Sequence, residues 1–557
     1  VRRNLLASVA VAVGLVLGAG AAHAATPPAV FGSDWDDPRT AAPTVERPAG
    51  PSCTVRIVDE RFDDYTPYTG SYTPPAACAG PWQKVVLRLD GAVAGRQYDR
   101  LGYLRLGDVT IFKTSTPEPS VDGIRWSVEK DVTSYAALLA RPQPVEMLIG
   151  NYVNDIYTGV LDVQVDLTFY PAAGAQPGAR QAGAPQPGVA DGPTDVLPLA
   201  NPRNAGTSLV GEVTVPRNTE RLVAEVYATG SGGGCEEFWY LTTPSGAPYS
   251  CPADNGPYRE VQVRVDGQLA GIAAPYPHVY TGGWSNPFLW YVIPAPRAFD
   301  IQPIRYDLTP FAGQLTDGRA HTVEVSVVGV PAGQSGWDVP TSLLAWRDPG
   351  RTQVTGGLIS RQEGALTNNS TYRADDPGHV VRTTGGHRLT VAGYLDTSHG
   401  RVRTTVDRTV GNRSTHRWTD GETTDALAAT WTDDERITVA GRGQPVVTSA
   451  DRRYVIDGEV TIDAAARIRT TITLTDAANR SISAGPDRGS SRLDDTYQGD
   501  ASWLTGVPRD QRAAVGTSSE RYRRYDSSAG PRPDFRYDRT IATRNGYLTQ
   551  DTQAAPQ

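Results

Sequence analysis

Three stretches of this chain recur in order at one constant spacing, and that recurrence restricts the fold more than any other feature. Val85-Val86-Leu87-Arg88-Leu89-Asp90-Gly91 returns 176 positions later as Val261-Gln262-Val263-Arg264-Val265-Asp266-Gly267. Ala94-Gly95 returns as Ala270-Gly271, and Asp131-Val132-Thr133-Ser134-Tyr135 as Asp307-Leu308-Thr309-Pro310-Phe311, both at that spacing. The repeated text is of β type: short runs of Val, Leu, Ile and Tyr broken by Gly, Pro and Asp. Asp90-Gly91 reads as a turn, and Asp162-Val163-Gln164-Val165-Asp166-Leu167 alternates as a half-buried strand does. Two copies of one antiparallel fold are therefore expected, and a unit of this size is most often a jelly-roll sandwich, which limits exposed sheet edges by stacking two sheets.

The chain divides around these copies. Residues 51–170 form lobe one and 196–350 lobe two. Between them, 171–195 is Gly/Ala/Pro/Gln text that cannot bury a core and reads as a linker. Residues 25–50 read as an irregular arm and 351–545 as a third, β-rich domain, with a disordered tail at 546–557. The overall class is all-β. Asn368-Asn369-Ser370-Thr371 and Asn412-Arg413-Ser414 match glycosylation sequons and are expected in exposed loops.

Residues 1–24 have the order of a secretory signal: Arg2 and Arg3, an apolar run from Leu5, then Ala22-His23-Ala24. No second run of spanning length follows, so a soluble, secreted protein without a membrane partner is expected. An oxidising destination suits the four cysteines. Of three possible connectivities, Cys53 with Cys78 and Cys235 with Cys251 is preferred, because each pair brackets a turn-rich loop. The balance of 53 basic and 61 acidic residues, net −8, gives no sign of a nucleic-acid partner.

Several chemistries find no residues. The seven histidines are scattered without His-Glu-x-x-His or a His/Cys cluster, so no metal site is expected. There is no Gly-x-Ser-x-Gly elbow, and Ser231-Gly232-Gly233-Gly234 lacks the Lys-Ser/Thr of a phosphate loop. Carboxylates remain. Gln97-Tyr98-Asp99-Arg100 has as its counterpart at the same spacing Ala273-Ala274-Pro275-Tyr276, without either charge. An Asp-Arg pair is more often a surface ion pair, but function should sit where one copy departs from the other. In Cys235-Glu236-Glu237-Phe238-Trp239-Tyr240, two carboxylates stand between a cysteine and three aromatics. If this is strand, Glu236 and Glu237 face opposite ways, so one at most enters a given cleft. Apolar neighbours favour acid–base work, although a glutamate capping the glycine-rich loop is an equal alternative. Asn151, Asn154 and Asp155 surround an apolar strand, and Tyr280-Thr281-Gly282-Gly283-Trp284-Ser285-Asn286-Pro287 suits a sugar face.

Taken together, these motifs resemble the peptide-N4-(N-acetyl-β-glucosaminyl)asparagine amidase A family, the acid-type PNGases. The matching text includes Gly80-Pro81-Trp82, Gly95-Arg96-Gln97-Tyr98-Asp99-Arg100, Thr114-Ser115-Thr116-Pro117-Glu118-Pro119, Trp126-Ser127-Val128-Glu129-Lys130-Asp131, Cys235 to Tyr240, Asn255-Gly256-Pro257-Tyr258-Arg259-Glu260 and Tyr280-Thr281-Gly282-Gly283. It covers roughly residues 50–350 and carries nothing over to the C-terminal part. The family is similar in motif to the flavobacterial PNGase F type, with two adjacent eight-stranded jelly rolls. The resemblance implies hydrolysis of the glycan–asparagine amide of an N-linked glycopeptide or glycoprotein, with no cofactor, by a monomer. It makes Asp99 and Glu237 the catalytic pair: Asp99 as general base or as the residue orienting the first GlcNAc, Arg100 fixing its charge, and Glu237 positioning water or donating the proton. Glu118, Glu236, Trp239 and Trp284 are expected around the substrate. That type's third acid lies on a later strand of lobe one, where this chain offers Asn151 or Asp155. A non-catalytic glycan-binding protein and an endoglycosidase leaving a GlcNAc stub are the competing readings.

Overall fold

The computed structural model describes residues 30, 32–118, 122–172, 192–232, 234–280, 286–289, 291–334, 336–375, 377–528 and 534–554. The expected leader, most of the expected linker and Trp284 lie outside them. Lobe one has eight strands: β1 (Cys53–Phe62), β2 (Tyr68–Tyr72), β3 (Trp82–Ala94), β4 (Leu101–Leu106), β5 (Val109–Ser115), β6 (Ile124–Asp131), β7 (Gln143–Ile149) and β8 (Val160–Pro171). They make two four-stranded antiparallel sheets, β1-β8-β3-β6 and β2-β7-β4-β5. Alternation sets the core: Val85, Leu87, Leu89 and Val93 of β3 lie opposite Phe169, Leu167, Val165 and Leu161 of β8. These are buried in one cluster with Leu104, Leu106, Val145 and Met147 of the other sheet.

Lobe two contains β9 (Asp195–Pro198), β10 (Ala200–Ala205), β11 (Ser208–Val213), β12 (Thr219–Val226), β13 (Thr229–Gly230), β14 (Glu260–Val265), β15 (Gln268–Ala273), β16 (Ile304–Asp307), β17 (His321–Val328), β18 (Trp337–Asp338) and β19 (Thr341–Arg347). Its sheets run β10-β11-β17-β14-β15 and β16-β12-β19-β9, beside a β13-β18 ribbon. Setting aside β10, β13 and β18, eight strands remain in the order of lobe one: first beside eighth, third and sixth, and second beside seventh, fourth and fifth. The two lobes thus share one topology.

The constant spacing does not follow that topology throughout. It aligns β3, the third strand of lobe one, with β14, the fourth of lobe two. Asp90-Gly91 is not a turn, because β3 continues through it to Ala94. Gly91 is there to admit the Trp126 ring, which a Cβ would approach to 2.3 Å. The true counterpart of Arg264-Val265-Asp266-Gly267 is Arg105-Leu106-Gly107-Asp108, the hairpin joining β4 to β5, and Asp108 and Asp266 both take positive φ. The last repeated block does correspond. Asp131 and Asp307 end the sixth strand of each lobe and accept the backbone N–H of Thr133 and Thr309, each at 3.0 Å. Short helices α1 (Ala136–Leu139) and α2 (Thr309–Leu315) follow.

Residues 355–553 form a single eleven-stranded sheet. Two of its strands, Gly378–Thr397 and Gly400–Thr419, are 20 residues long, against about 5–6 for an ordinary strand. Its apolar face covers lobe two: Trp431 meets Trp239 edge-on at 5.4 Å, Tyr454 meets Tyr276 at 5.0 Å, and Asp476 takes a two-pronged bond from Arg297. The segment expected as a tail is in fact the last strand, Tyr547–Gln553, because its backbone completes the ladder to Phe535–Arg544. Both sequons also lie in strands rather than loops, and Asn412 is buried. Among its described residues the arm carries no strand, but it docks firmly: Trp35 stacks on Phe288, Ala41 N donates to Glu520, and Asp36 accepts from Leu548 N. Cys53–Cys78 and Cys235–Cys251 are bonded as expected. Among the described residues no helix is long and apolar enough to cross a membrane.

Candidate active site between the lobes

The lobes meet along β5, and that seam fixes the site. Ser115 N donates to Ala298 O and Ile301 N to Lys113 O, so the strand edge of lobe one is completed by backbone from lobe two. Lys113 Nζ, buried, donates to Thr229 Oγ1 at 2.7 Å and Asp338 Oδ2 at 2.6 Å. Tyr227 OH reaches Ile111 O, and Lys130 pairs with Asp300.

On the lobe-one side, residues 95–100 link β3 to β4. Buried Gln97 organises this loop. Its Nε2 donates to Tyr152 O at 3.1 Å and Gly159 O at 3.3 Å, and its Oε1 accepts from Tyr98 N and from the Arg100 guanidinium. Arg100 N and O bond Thr116 Oγ1 and N, both at 2.9 Å, and the guanidinium lies over the Tyr98 ring. Half-buried Asp99 is held between these fixed neighbours.

On the lobe-two side, Cys235 to Phe238 form a turn instead of the expected strand, with Glu237 N bonded to Gly234 O at 3.0 Å. The two glutamates still part company. Glu236 turns inward, where Arg259 grips both its oxygens at 3.0 and 2.6 Å and Trp337 Nε1 donates at 2.6 Å. Gly230 lets that turn sit close, since a Cβ there would lie 2.1 Å from Glu236 O. Glu237 remains half-buried beside Tyr240 and Tyr280.

Tyr280 joins the two halves. Its hydroxyl donates to Gly230 O at 3.0 Å. Burial raises its pKa well above the usual phenol value, and the charges of Glu237, Tyr240, Asp99 and Asp338 raise it further. One phenol therefore feels both expected catalytic carboxylates. Glu118 completes the acidic group: burial first, then the charge of Asp99, push its carboxyl up to about 8, against the opposing pull of Arg509, Arg96 and Arg512. Arg509 and Arg512 come from the C-terminal part, where no local sequence signal marked them.

Other expected site residues are engaged elsewhere. Glu236 is consumed by Arg259 and Trp337, and Trp239 is core, wedged among Tyr240, Trp337 and Trp431. Asn151 is buried, its Nδ2 donating to Phe62 O and Gly159 O and its Oδ1 accepting from Tyr152 N, so it braces backbone rather than facing substrate. Asp155 lies exposed on the neighbouring loop. A carboxyl on which the charge of Asp99 acts is that of Glu118.

A family model described as peptide N-acetyl-beta-D-glucosaminyl asparaginase amidase A matches residues 38–363. The chain belongs to this family. A curated relative, the peptide-N4-(N-acetyl-beta-glucosaminyl)asparagine amidase A of Prunus dulcis, is 30% identical over 410 residues, 68% of each chain. Among solved structures, PNGase F from Flavobacterium meningosepticum, a glycosylasparaginase, aligns over 54% of this chain and 96% of its own, with TM-score 0.34 and 11% identity. PNGF-II aligns over 53% and 65%, with TM-score 0.36 and 14% identity. The amidase A match runs from the docked arm through both lobes and into the first strand of the long sheet; Arg509 and Arg512 lie beyond it.

Proposed function

We propose that this chain hydrolyses the amide joining an N-glycan to asparagine in a glycopeptide or glycoprotein, releasing a glycosylamine and leaving aspartate. Water adds across the C–N bond: its oxygen goes to the side-chain carbonyl carbon and a proton to the departing nitrogen. Membership of the amidase A family supports the reaction. The site is supported by the seam along β5, where backbone of lobe two completes the edge of lobe one, and by Tyr280, whose phenol is raised by burial and then by the charges of Glu237 and Asp99. In this reading Asp99 takes the proton of the attacking water or orients the first GlcNAc, and Glu237 positions water or protonates the leaving nitrogen. Arg100 acts through Gln97 to hold the loop. Glu118, neutral below about pH 8, donates a hydrogen bond to the substrate, as a carboxylic acid kept protonated can. The strand order of each lobe supports reading both as jelly rolls, and the two disulfides support export to an oxidising compartment.

Mass spectrometry of a denatured N-glycopeptide incubated with the protein tests the proposal. Asn converted to Asp with free glycosylamine is expected. A GlcNAc stub left on Asn would make it an endoglycosidase, and retained binding without any mass change would make it a glycan-binding protein. Asp99→Asn and Glu237→Gln should each lower kcat by about 10²-fold or more with the melting temperature unchanged. Near-normal turnover by both variants would refute the assignment.

A further inference from the structure

Beside Asp99 stands an apolar surface that no step of the proposed hydrolysis uses. Tyr65 is 62% exposed, Tyr98 46%, Tyr152 58%, Val153 37% and Ile156 59%. Among the described residues these are five of the nine exposed large hydrophobics, and all five fall on three adjoining loops. Isolated apolar side chains on a surface are ordinary; five gathered on one rim mark a contact.

The rim is built, not loose. Asn151 N bonds Asp64 O, joining the Tyr65 loop to the 150–159 loop, and Tyr65 lies so close to Gly150 that a Cβ there would meet its ring at 2.7 Å. Asn154 caps its own turn by accepting the N–H groups of Ile156 and Tyr157 at 2.8 Å. Gln97 ties Tyr152 to the segment carrying Asp99, and Tyr98, next to Asp99 in the chain, lies against Tyr157 with ring centroids 4.7 Å apart.

The chemistry of the rim selects its occupant. A sugar wants a free aromatic face and polar groups around it. Here the Tyr98 and Tyr157 rings lie against each other at a tilt of 39°, with Arg100 over one and Arg96 over the other, and the open rings are those of Tyr65 and Tyr152. Val153 and Ile156 offer only hydrocarbon. Such a surface is suited to aliphatic and aromatic side chains of an extended peptide. We infer that Tyr152, Val153 and Ile156 bind apolar residues flanking the glycosylated asparagine, so that the enzyme selects the peptide as well as the glycan. This rests on the amidase reading of the neighbouring site.

Three substrates bearing one glycan test it: the glycosylated asparagine alone, a pentapeptide with Leu and Phe flanking the asparagine, and one with Gly and Ser. In the wild type, KM for the Leu/Phe peptide should be about tenfold below that for the Gly/Ser peptide, equivalent to about 1.4 kcal/mol. Tyr152→Ser/Ile156→Ser should erase that difference, with kcat and the KM of glycosylated asparagine unchanged. Val153→Ser gives a second, milder variant should the double change lower the melting temperature. Equal KM values in the wild type, or a preference that survives in the variants, overturn the inference. So does concentration-dependent dimerisation abolished by the same substitutions, which would make the rim a self-contact. If no substrate is cleaved, the amidase reading fails separately. Calorimetry with the unglycosylated Leu/Phe peptide then decides the rim by itself: binding lost in the double variant supports it, and no binding to the wild type overturns it.

Discussion

At the scale of single residues, adjacent glutamates have opposite duties. Glu236 is an ion in the interior with every strong partner supplied, so removing one partner leaves a buried charge uncompensated. Arg259→Met is expected to cost about 3–5 kcal/mol, read as a lower urea midpoint, while Glu237→Gln should leave that midpoint in place and lower turnover. Glu118 predicts a pH limit. Its folded-state pKa is raised to about 8 by burial and then by Asp99, so the neutral donor form persists through neutrality and disappears above that value. The alkaline fall in kcat/KM near pH 8 should be absent in Glu118→Gln, which donates at every pH. The sequence foretold that only one glutamate of the pair could enter a cleft, but it did so through strand alternation. The cause is a turn, with Arg259 and Trp337 taking the other carboxylate. Trp239 misled for a related reason: an aromatic beside a carboxylate reads as a sugar platform until a distant strand supplies Trp431 to cover it.

At the scale of elements, the lesson is about Asp-Gly. The dipeptide closes a hairpin at Asp266-Gly267 and passes unbent through β3 at Asp90-Gly91, because there the glycine answers to Trp126 on the neighbouring strand. Gly91→Ala is expected to destabilise lobe one by about 1–3 kcal/mol and lower its thermal midpoint; Trp126→Phe in the same chain should restore part of the loss. Two β folds in one chain were legible because alternation and turn residues are local signals. Their alignment was not, because successive strands of such a fold look alike, and a slip of one strand preserves the pattern while changing every partner. The comparison of Gln97-Tyr98-Asp99-Arg100 with Ala273-Ala274-Pro275-Tyr276 therefore matched non-equivalent positions. Asp99 nevertheless stands beside Glu118 and shares a neighbour with Glu237.

At the scale of the whole molecule, the long sheet serves as a buttress, and the charges of Arg509 and Arg512, on a connection between two of its strands, act on Glu118 from hundreds of residues away in sequence, a relation that no periodicity encodes. It also holds a pair of buried acids, Asp495 and Glu520, whose carboxyls are both pushed up, chiefly by burial, with Glu520 moved from 4.5 to about 7. A carboxyl that titrates higher in the folded state binds its proton more tightly there, so stability is greatest below the unfolded value and declines as pH climbs through the folded one. The melting temperature should therefore fall between about pH 4.5 and 7, and Glu520→Gln should flatten that decline while preserving an acceptor for Ala41 N. A flat wild-type profile over this range would rule the pair out as a source of pH sensitivity.

The docking of the arm sets the order in which the protein can be completed during synthesis. Asp36 and Ala41 find their partners at Leu548 and Glu520, and the open edge of β5 waits for Ala298 and Ile301. Trp35, Asp37 and Arg39 can dock once residues 125–292 have emerged, but Asp36 and Ala41 have nothing to hold until a ribosome has delivered almost the entire chain. A nascent chain stopped before residue 520 should be cut by protease around Asp36 to Ala41 faster than one released at full length.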